Sequence, residues 1–178
     1  MKNTTVKNES KPNVIIYSDG ASRGNPGKGG YGTIVKVISE DDQVLSVNEY
    51  TEGFESTTNN RMELLGVITG IQSVKELEIN KLTICSDSKY VVDAYNKKWI
   101  VNWLLNNWKT SNNKPVKNQD LWNEFIDSLR SLKNKPEIEF IWVKGHNGHT
   151  ENERCDFLAT SSADGVVLSK KDGLYYNS

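Results

Sequence analysis

Apolar and polar residues alternate along this chain in short blocks, and the blocks predict its elements in turn. Residues 1–12 are polar and read as a flexible arm. Val14-Ile15-Ile16-Tyr17 is a short apolar run closed by Ser18-Asp19-Gly20, the signature of a strand. Gly20, Gly24, Gly27, Gly29 and Gly30, with Pro26 among them, predict a tight loop over residues 20–30. Strands follow over residues 31–38 and 44–51, joined by a polar turn over 39–43, and residues 53–57 read as a loop. Spacings of three and four put Met62, Leu65, Ile68 or Thr69, and Gln72 on one stripe of a helix over residues 58–77. Leu82–Cys85 is the next apolar strand, closed by Ser86-Asp87-Ser88, where Ser88 is a good cap for a helix over residues 89–96. Helices over 99–105 and 120–132 flank a polar loop over 106–118, then a strand over 137–143, a Gly-His loop over 144–150 and a last helix over 151–163 complete the pattern. Three strands in meander, then alternating helices and strands, predict an α/β domain on a five-stranded mixed sheet. The meander is antiparallel and the later strands lie parallel to the first. The order of residues 164–178 is not set by the pattern.

Length and composition add bounds. The 178 residues suit one domain, and 25% charged with 36% hydrophobic residues is polar but not a disordered composition. The net charge of −1 says nothing of partners, but its distribution does. Residues 95–119 hold no acid and five lysines (Lys97, Lys98, Lys109, Lys114, Lys117), whereas residues 40–63 hold seven acids and one arginine, Arg61. Such a chain can bind a polyanion locally. Two cysteines, Cys85 and Cys155, make no disulfide framework, the first residues form no signal peptide, and no run approaches the ~18 apolar residues of a membrane span. A cytoplasmic protein is expected, with a monomer as the default.

The candidate chemistry lies at element ends. Gly27-Lys28-Gly29-Gly30-Tyr31-Gly32 matches a dinucleotide fingerprint, but it leads into a strand rather than a helix, so the pyrophosphate has no helix terminus to rest on. His146, His149 and Cys155 fall short of a four-ligand zinc shell, and a histidine active in proton transfer or merely exposed fits better. Asp19 and Asp87 close the first and fourth strands. If those strands are neighbours, the two carboxylates sit side by side and repel unless a cation neutralises them, and Mg2+ is the natural one. Spacing does not choose among Glu63, Glu151, Glu153 and Asp156 as further ligands. Trp99, Trp103 and Trp108 interleave with the lysines of the acid-free segment. They read either as core or as stacking platforms for nucleic acid, and the absence of acids favours the second.

Several long motifs then point to a family. Tyr17-Ser18-Asp19-Gly20-Ala21 with Gly24-Asn25-Pro26-Gly27, Thr57-Thr58-Asn59-Asn60-Arg61-Met62-Glu63-Leu64, Asp87-Ser88-Lys89-Tyr90-Val91, and Trp142 to His149 with Glu151 to Asp156 occur in order. Together they resemble type 1 ribonuclease H of the bacterial kind over residues 13–163. The resemblance implies a ribonuclease H-like fold and endonucleolytic hydrolysis of the RNA strand of RNA–DNA hybrids, leaving 3′-hydroxyl and 5′-phosphate ends. It implies two Mg2+ ions, with Mn2+ as a substitute, held by catalytic Asp19, Glu63, Asp87 and Asp156, and His146 assisting turnover. Implied hybrid contacts are Gly20, Asn25, Thr58, Asn59, Asn60 and Lys89 near the site. On a basic protrusion they are Lys97, Lys98, Trp99, Asn102, Trp103, Trp108, Lys109, Lys114 and Lys117. Two departures stand out: Lys89 where an uncharged amide is expected, and a protrusion less basic at Leu104-Leu105-Asn106-Asn107. No separate hybrid-binding module is expected ahead of Val14. The rival readings are another nuclease of the same fold and a non-catalytic hybrid-binding module.

Overall fold

The computed structural model describes residues 10–145 and 148–165. Its elements in chain order are β1 (Asn13–Ser22), β2 (Gly27–Ile38), β3 (Val44–Thr57), α1 (Asn59–Ser73), β4 (Lys81–Ser86), α2 (Lys89–Asn96), α3 (Trp99–Leu105), α4 (Gln119–Arg130), β5 (Glu137–Trp142) and α5 (Thr150–Ala163). One five-stranded sheet runs in the order β3-β2-β1-β4-β5. The pairs β1–β2 and β2–β3 are antiparallel, and β1–β4 and β4–β5 are parallel, as the block pattern predicts.

The two sheet faces are covered differently. Val14, Ile16 and Ser18 of β1 face α1, and with Leu64, Val67, Ile68 and Ile71 they form the main core, closed by Trp122 and Phe125 of α4. Buried hydroxyls on that face are satisfied within it: Ser18 Oγ lies 3.2 Å from Thr33 Oγ1, and Thr33 Oγ1 donates to the Gly66 carbonyl at 2.8 Å. On the other face α5 lies close to β1 and β2, packing Ala159 and Ala163 on Ala21.

That close approach corrects the expected loop over residues 20–30. β1 runs on to Ser22 and β2 starts at Gly27, with Ala21 opposite Gly30 and Asp19 opposite Gly32. A methyl on Gly30 would lie 2.9 Å from the Ala159 carbonyl oxygen, and one on Gly32 would lie 2.6 Å from the Leu158 Cβ. These glycines are there for a helix that crosses the strands, not for a turn. The turn itself is short and spans residues 23–26, with Gly24 at φ +144° and a cis Asn25–Pro26 bond. Likewise β3 extends through the expected loop to Thr57, which pairs with Gly27. The helix expected to reach Leu77 ends at Ser73, where the Val74 N–H turns back onto the Ile71 carbonyl. Its buried residues surround it rather than forming one stripe, because the sheet and α4 both cover it, and Gln72 is exposed. The flexible arm expected over 1–12 lies outside the described residues for 1–9, and so does the tail from 166 onward.

Candidate active site

Ser18 and Ser86 form the last described β1–β4 pair, so Asp19 and Asp87 follow at equivalent positions on neighbouring strands. Asp19 does not end its strand as expected; three more residues of β1 follow it. Glu63 comes to the same place from the first turns of α1. Thr58 caps that helix, its hydroxyl accepting from Arg61 N–H at 3.4 Å. Asp19, Glu63 and Asp87 each place a carboxylate oxygen so that all three lie within 4.8 Å of one another. Asp19 is 7% and Glu63 6% exposed, so the charges meet in a poorly solvated space.

Two of these carboxylates are held by neighbouring amides. Gly20 N–H donates to Asp19 Oδ1 at 2.7 Å, and Asn59 Nδ2 donates to Glu63 Oε1 at 3.2 Å. Among the described residues Glu63 Oε2 is buried without a hydrogen-bond partner. Burial foremost, then the charge of Asp87 and more weakly that of Asp156, pushes the Asp19 carboxyl up to about 7. Burial and the charges of Asp19 and Asp87 raise Glu63 well above the usual carboxylate range. A divalent cation reverses each of these penalties. An orphaned buried oxygen among three clustered hard oxygen donors fits a hard divalent cation.

Asp156 sits half-buried on α5, outside the three-carboxylate cluster, though its charge acts on Asp19. Besides its packing on β1 and β2, α5 makes ion pairs with the meander: Arg154 with Glu49 (2.9 Å), Arg23 with Asp164 (2.5 Å) and Lys36 with Glu151. Glu151, one of the alternatives left by spacing, is thereby a structural partner, and Glu153 is exposed. His146 lies outside the described residues.

Gly20 is where sterics are tightest. A methyl there would run into the Glu63 backbone nitrogen and lie 2.6 Å from the Met62 carbonyl carbon. Gly20→Ala is therefore expected to destabilise the fold by about 3 kcal/mol through overpacking, and to shift Glu63 with it. Urea unfolding reads the first effect, and an unchanged midpoint would rule out the close approach.

The expected substrate contacts divide into two groups. Asn25, Asn59, Asn60 and Lys89 are exposed and Gly20 and Thr58 half-buried, and of these Gly20 and Asn59 bond to the carboxylates. The protrusion carries the rest. Trp99, Trp103 and Trp108 are half-buried and pack against the main core, as the first reading of them expects. Their rings step inward from Trp99 to Trp103 at 6.4 Å and from Trp103 to the fully buried Trp122 at 5.3 Å. Trp99 and Trp103 line open cavities. One of about 490 Å3 holds Trp99, Asn102, Trp103 and Lys109; one of about 370 Å3 holds Trp103, Lys114 and Lys117. Trp108 packs on Trp103 at 6.4 Å. Lys98 is exposed, and Lys97 pairs with Asp93 at 2.9 Å.

Sequence reasoning gave no role to Arg61 or Tyr90. Arg61 is 2% exposed and grips Asp120 with two bonds of 2.9 and 2.7 Å, joining the helix of Glu63 to α4. Tyr90 Oη accepts from Asn118 Nδ2 and Trp122 Nε1 at 3.1 and 2.9 Å. A lone arginine in an acid-rich stretch, and the first acid after an acid-free one, were the available signals.

The RNase H family model matches residues 11–164. The chain belongs to the ribonuclease H family. A ribonuclease H of Lachnoclostridium phytofermentans is 48% identical over 157 residues, covering 88% of this chain and 95% of the relative. LC9-RNase H1, a type 1 RNase H with the type 2 active-site motif, superposes with a TM-score of 0.74 at 29% identity, covering 89% of this chain and 75% of that one. LC11-RNase H1, solved in complex with an RNA/DNA hybrid, shares the fold at 21% identity and a TM-score of 0.63, covering 85% of this chain and 96% of its own. The ribonuclease H sheet thus carries the three-carboxylate cluster at the ends of the β1–β4 pairing.

Proposed function

We propose that this chain hydrolyses the RNA strand of RNA–DNA hybrids endonucleolytically, with divalent ions held by Asp19, Glu63, Asp87 and Asp156. The observation that carries the reading is the buried, mutually repelling cluster of Asp19, Glu63 and Asp87 in a ribonuclease H fold. Mg2+ is the ion proposed, two per site, with Mn2+ as a substitute. Such an ion supplies a water nucleophile at neutral pH and a counter-charge for the leaving 3′ oxygen.

The residues of the chain then have distinct tasks. Gly20 N–H and Asn59 Nδ2 orient Asp19 and Glu63. The indole N–H of Trp142 holds the backbone carbonyl of Asp87 at 3.0 Å. Asn25 and Asn60, with the backbone at Gly20, read the 2′-hydroxyl that separates RNA from DNA. The DNA strand lies on the protrusion, its phosphates met by Lys97, Lys98, Lys109, Lys114 and Lys117, and its sugars by Trp99 and Trp103. These contacts go to backbone and shape, so base sequence matters little. Three of the carboxylates meet within one chain, so a monomer suffices. The two buried free thiols, Cys85 and Cys155, accord with a reducing cytoplasm, and no helix among the described residues is long and apolar enough to cross a membrane.

The test is cleavage of end-labelled RNA that is paired to DNA, paired to RNA or single-stranded, with Mg2+ and with EDTA. Internal cuts confined to the RNA–DNA hybrid and abolished by EDTA are expected. A hybrid that is bound but uncut in Mg2+ and in Mn2+ would turn the reading to a non-catalytic binding module.

A further inference from the structure

Helix α3 presents two unlike faces. Trp99, Asn102, Trp103 and Asn106 share one, and line the cavity of about 490 Å3. Val101, Leu104 and Leu105 share the opposite one, through spacings of three and four. All three are exposed, Leu105 to 80%. Large aliphatic side chains set side by side in water mark a surface that another apolar surface would cover favourably.

That face opens onto a groove. Val101 lines a second cavity, of about 610 Å3, between α2 and α3 on one side and α4 on the other. Half-buried Tyr95, Ile126 and Leu129 also line it, above the buried Phe125. Its charged residues are Lys98 and Arg130, both cationic and exposed. Among the described residues neither has a carboxylate partner. The acids of α4 are turned away from it: Asp120, Glu124 and Asp127 line a separate cavity beside Gln72 of α1.

These features narrow the occupant. A second copy of this chain, docked face to face, would set Lys98 and Arg130 against the same two cations, which repel. A nucleic-acid backbone has phosphates for the cations but no apolar surface for Val101, Leu104 and Leu105. A bilayer is broad and does not fill a groove of this size. An amphipathic helix with an apolar stripe and flanking carboxylates satisfies both the aliphatic face and the cations.

We propose that the back of α3 and the groove between α3 and α4 dock an acidic amphipathic segment of another protein. Its apolar side chains lie on Val101, Leu105 and Leu129, and its carboxylates meet Lys98 and Arg130. The proposal goes beyond the hydrolase reading and does not depend on it, because the tryptophan face of α3 remains open to nucleic acid.

The test is fluorescence anisotropy, over a salt series, with a labelled peptide of glutamates carrying a leucine at every third and fourth position. The control is the same peptide with lysines in place of the glutamates. The glutamate peptide is expected to bind with a Kd of about micromolar order, about ten-fold or more below that of the lysine peptide, and to weaken as salt rises. Val101→Ser combined with Leu105→Ser should weaken it by about five-fold or more. Arg130→Gln should weaken it and flatten its salt response. These positions are exposed, so urea midpoints should hold, and cleavage of an RNA–DNA hybrid should stay within about two-fold of the unaltered protein. A glutamate peptide that does not bind, that binds no better than the lysine peptide, or that ignores both variants overturns the proposal. So does a dimer in sedimentation that Leu105→Ser abolishes, which assigns the face to a second copy. Vesicles of anionic lipid bound more tightly than the peptide would assign it to a membrane instead, and hybrid affinity lost in the double variant would assign it to the substrate.

Discussion

An Asp19→Asn variant is expected to lose about a thousand-fold in hybrid cleavage and yet, without metal and above about pH 7, to melt at a higher temperature than the unaltered protein. The amide keeps the size of the side chain and an acceptor for Gly20 N–H, so the fold has no reason to move. What disappears is one anionic ligand of the cluster. Weakening the hold on a catalytic cation by about 4 kcal/mol of transition-state stabilisation corresponds to three decades in rate. Binding of the hybrid through the protrusion should survive.

The gain in stability follows from the proton affinity of the site. Folding raises the Asp19 carboxyl from its ordinary value of 3.8 to about 7, through burial and the neighbouring charges of Asp87 and Asp156. Between those values the folded chain keeps a proton that the unfolded chain has lost, so stability falls as pH rises. The contribution is complete below about pH 4 and gone once pH passes about 7, and Glu63, raised for the same reasons, adds to the slope. Asp120, Glu151 and Asp164 have their carboxyls lowered by cationic partners and slope the opposite way, losing stability as pH falls. The difference between Asp19→Asn and the unaltered protein isolates the cluster from these. Thermal melts in EDTA from about pH 4 to about pH 8 should therefore diverge toward the alkaline end, and Mg2+ should close the gap by stabilising only the unaltered protein. Equal melting temperatures throughout, with and without Mg2+, would mean that the carboxylates do not repel as their geometry requires.

The second large effect is structural. Trp122→Ala is expected to cost about 4 kcal/mol, lowering the melting temperature by roughly 12 °C in a chain of this size. Trp122 is fully buried, and its ring meets Tyr90 at 5.3 Å, Trp103 at 5.3 Å and Phe125 at 5.4 Å. Its indole N–H also donates to Tyr90 Oη. Truncation opens a cavity and loosens Trp103, the ring shared by both protrusion cavities, so hybrid affinity should fall along with stability. Calorimetry and hybrid binding at a temperature where the variant is folded separate the two. Full affinity in a destabilised variant would show that the protrusion rings are set by something other than this stack.

Several of these features could be read without coordinates. Apolar runs at residues 14–17 and 82–85, each closed by a Ser-Asp step, define two strands. If those strands are neighbours, Asp19 and Asp87 sit side by side, and the sheet order of the structure makes them so. The Ser88 cap is a local signal that the structure repeats. The glycines of residues 20–30 misled because sequence marks where a side chain is absent and does not say what fills the space. Here it is α5, more than a hundred residues onward.

The sequence by itself determined the element order, the mixed sheet, an aspartate just after each of two apolar runs and, through motifs that run in order, the family. Each of these is set by residues a few positions apart or by a topological rule with few solutions. Only the tertiary structure decided that Glu63 is nearly sealed from solvent with an unpartnered oxygen, that Glu151 pairs with Lys36, that Arg61 reaches Asp120, and that the tryptophans join core to surface. It also decided that Lys89 rests on Trp142. Those partners are chosen by the packing of whole elements, where burial removes the competing water. The chain pattern records which residues are available for such contacts but not which of them meet.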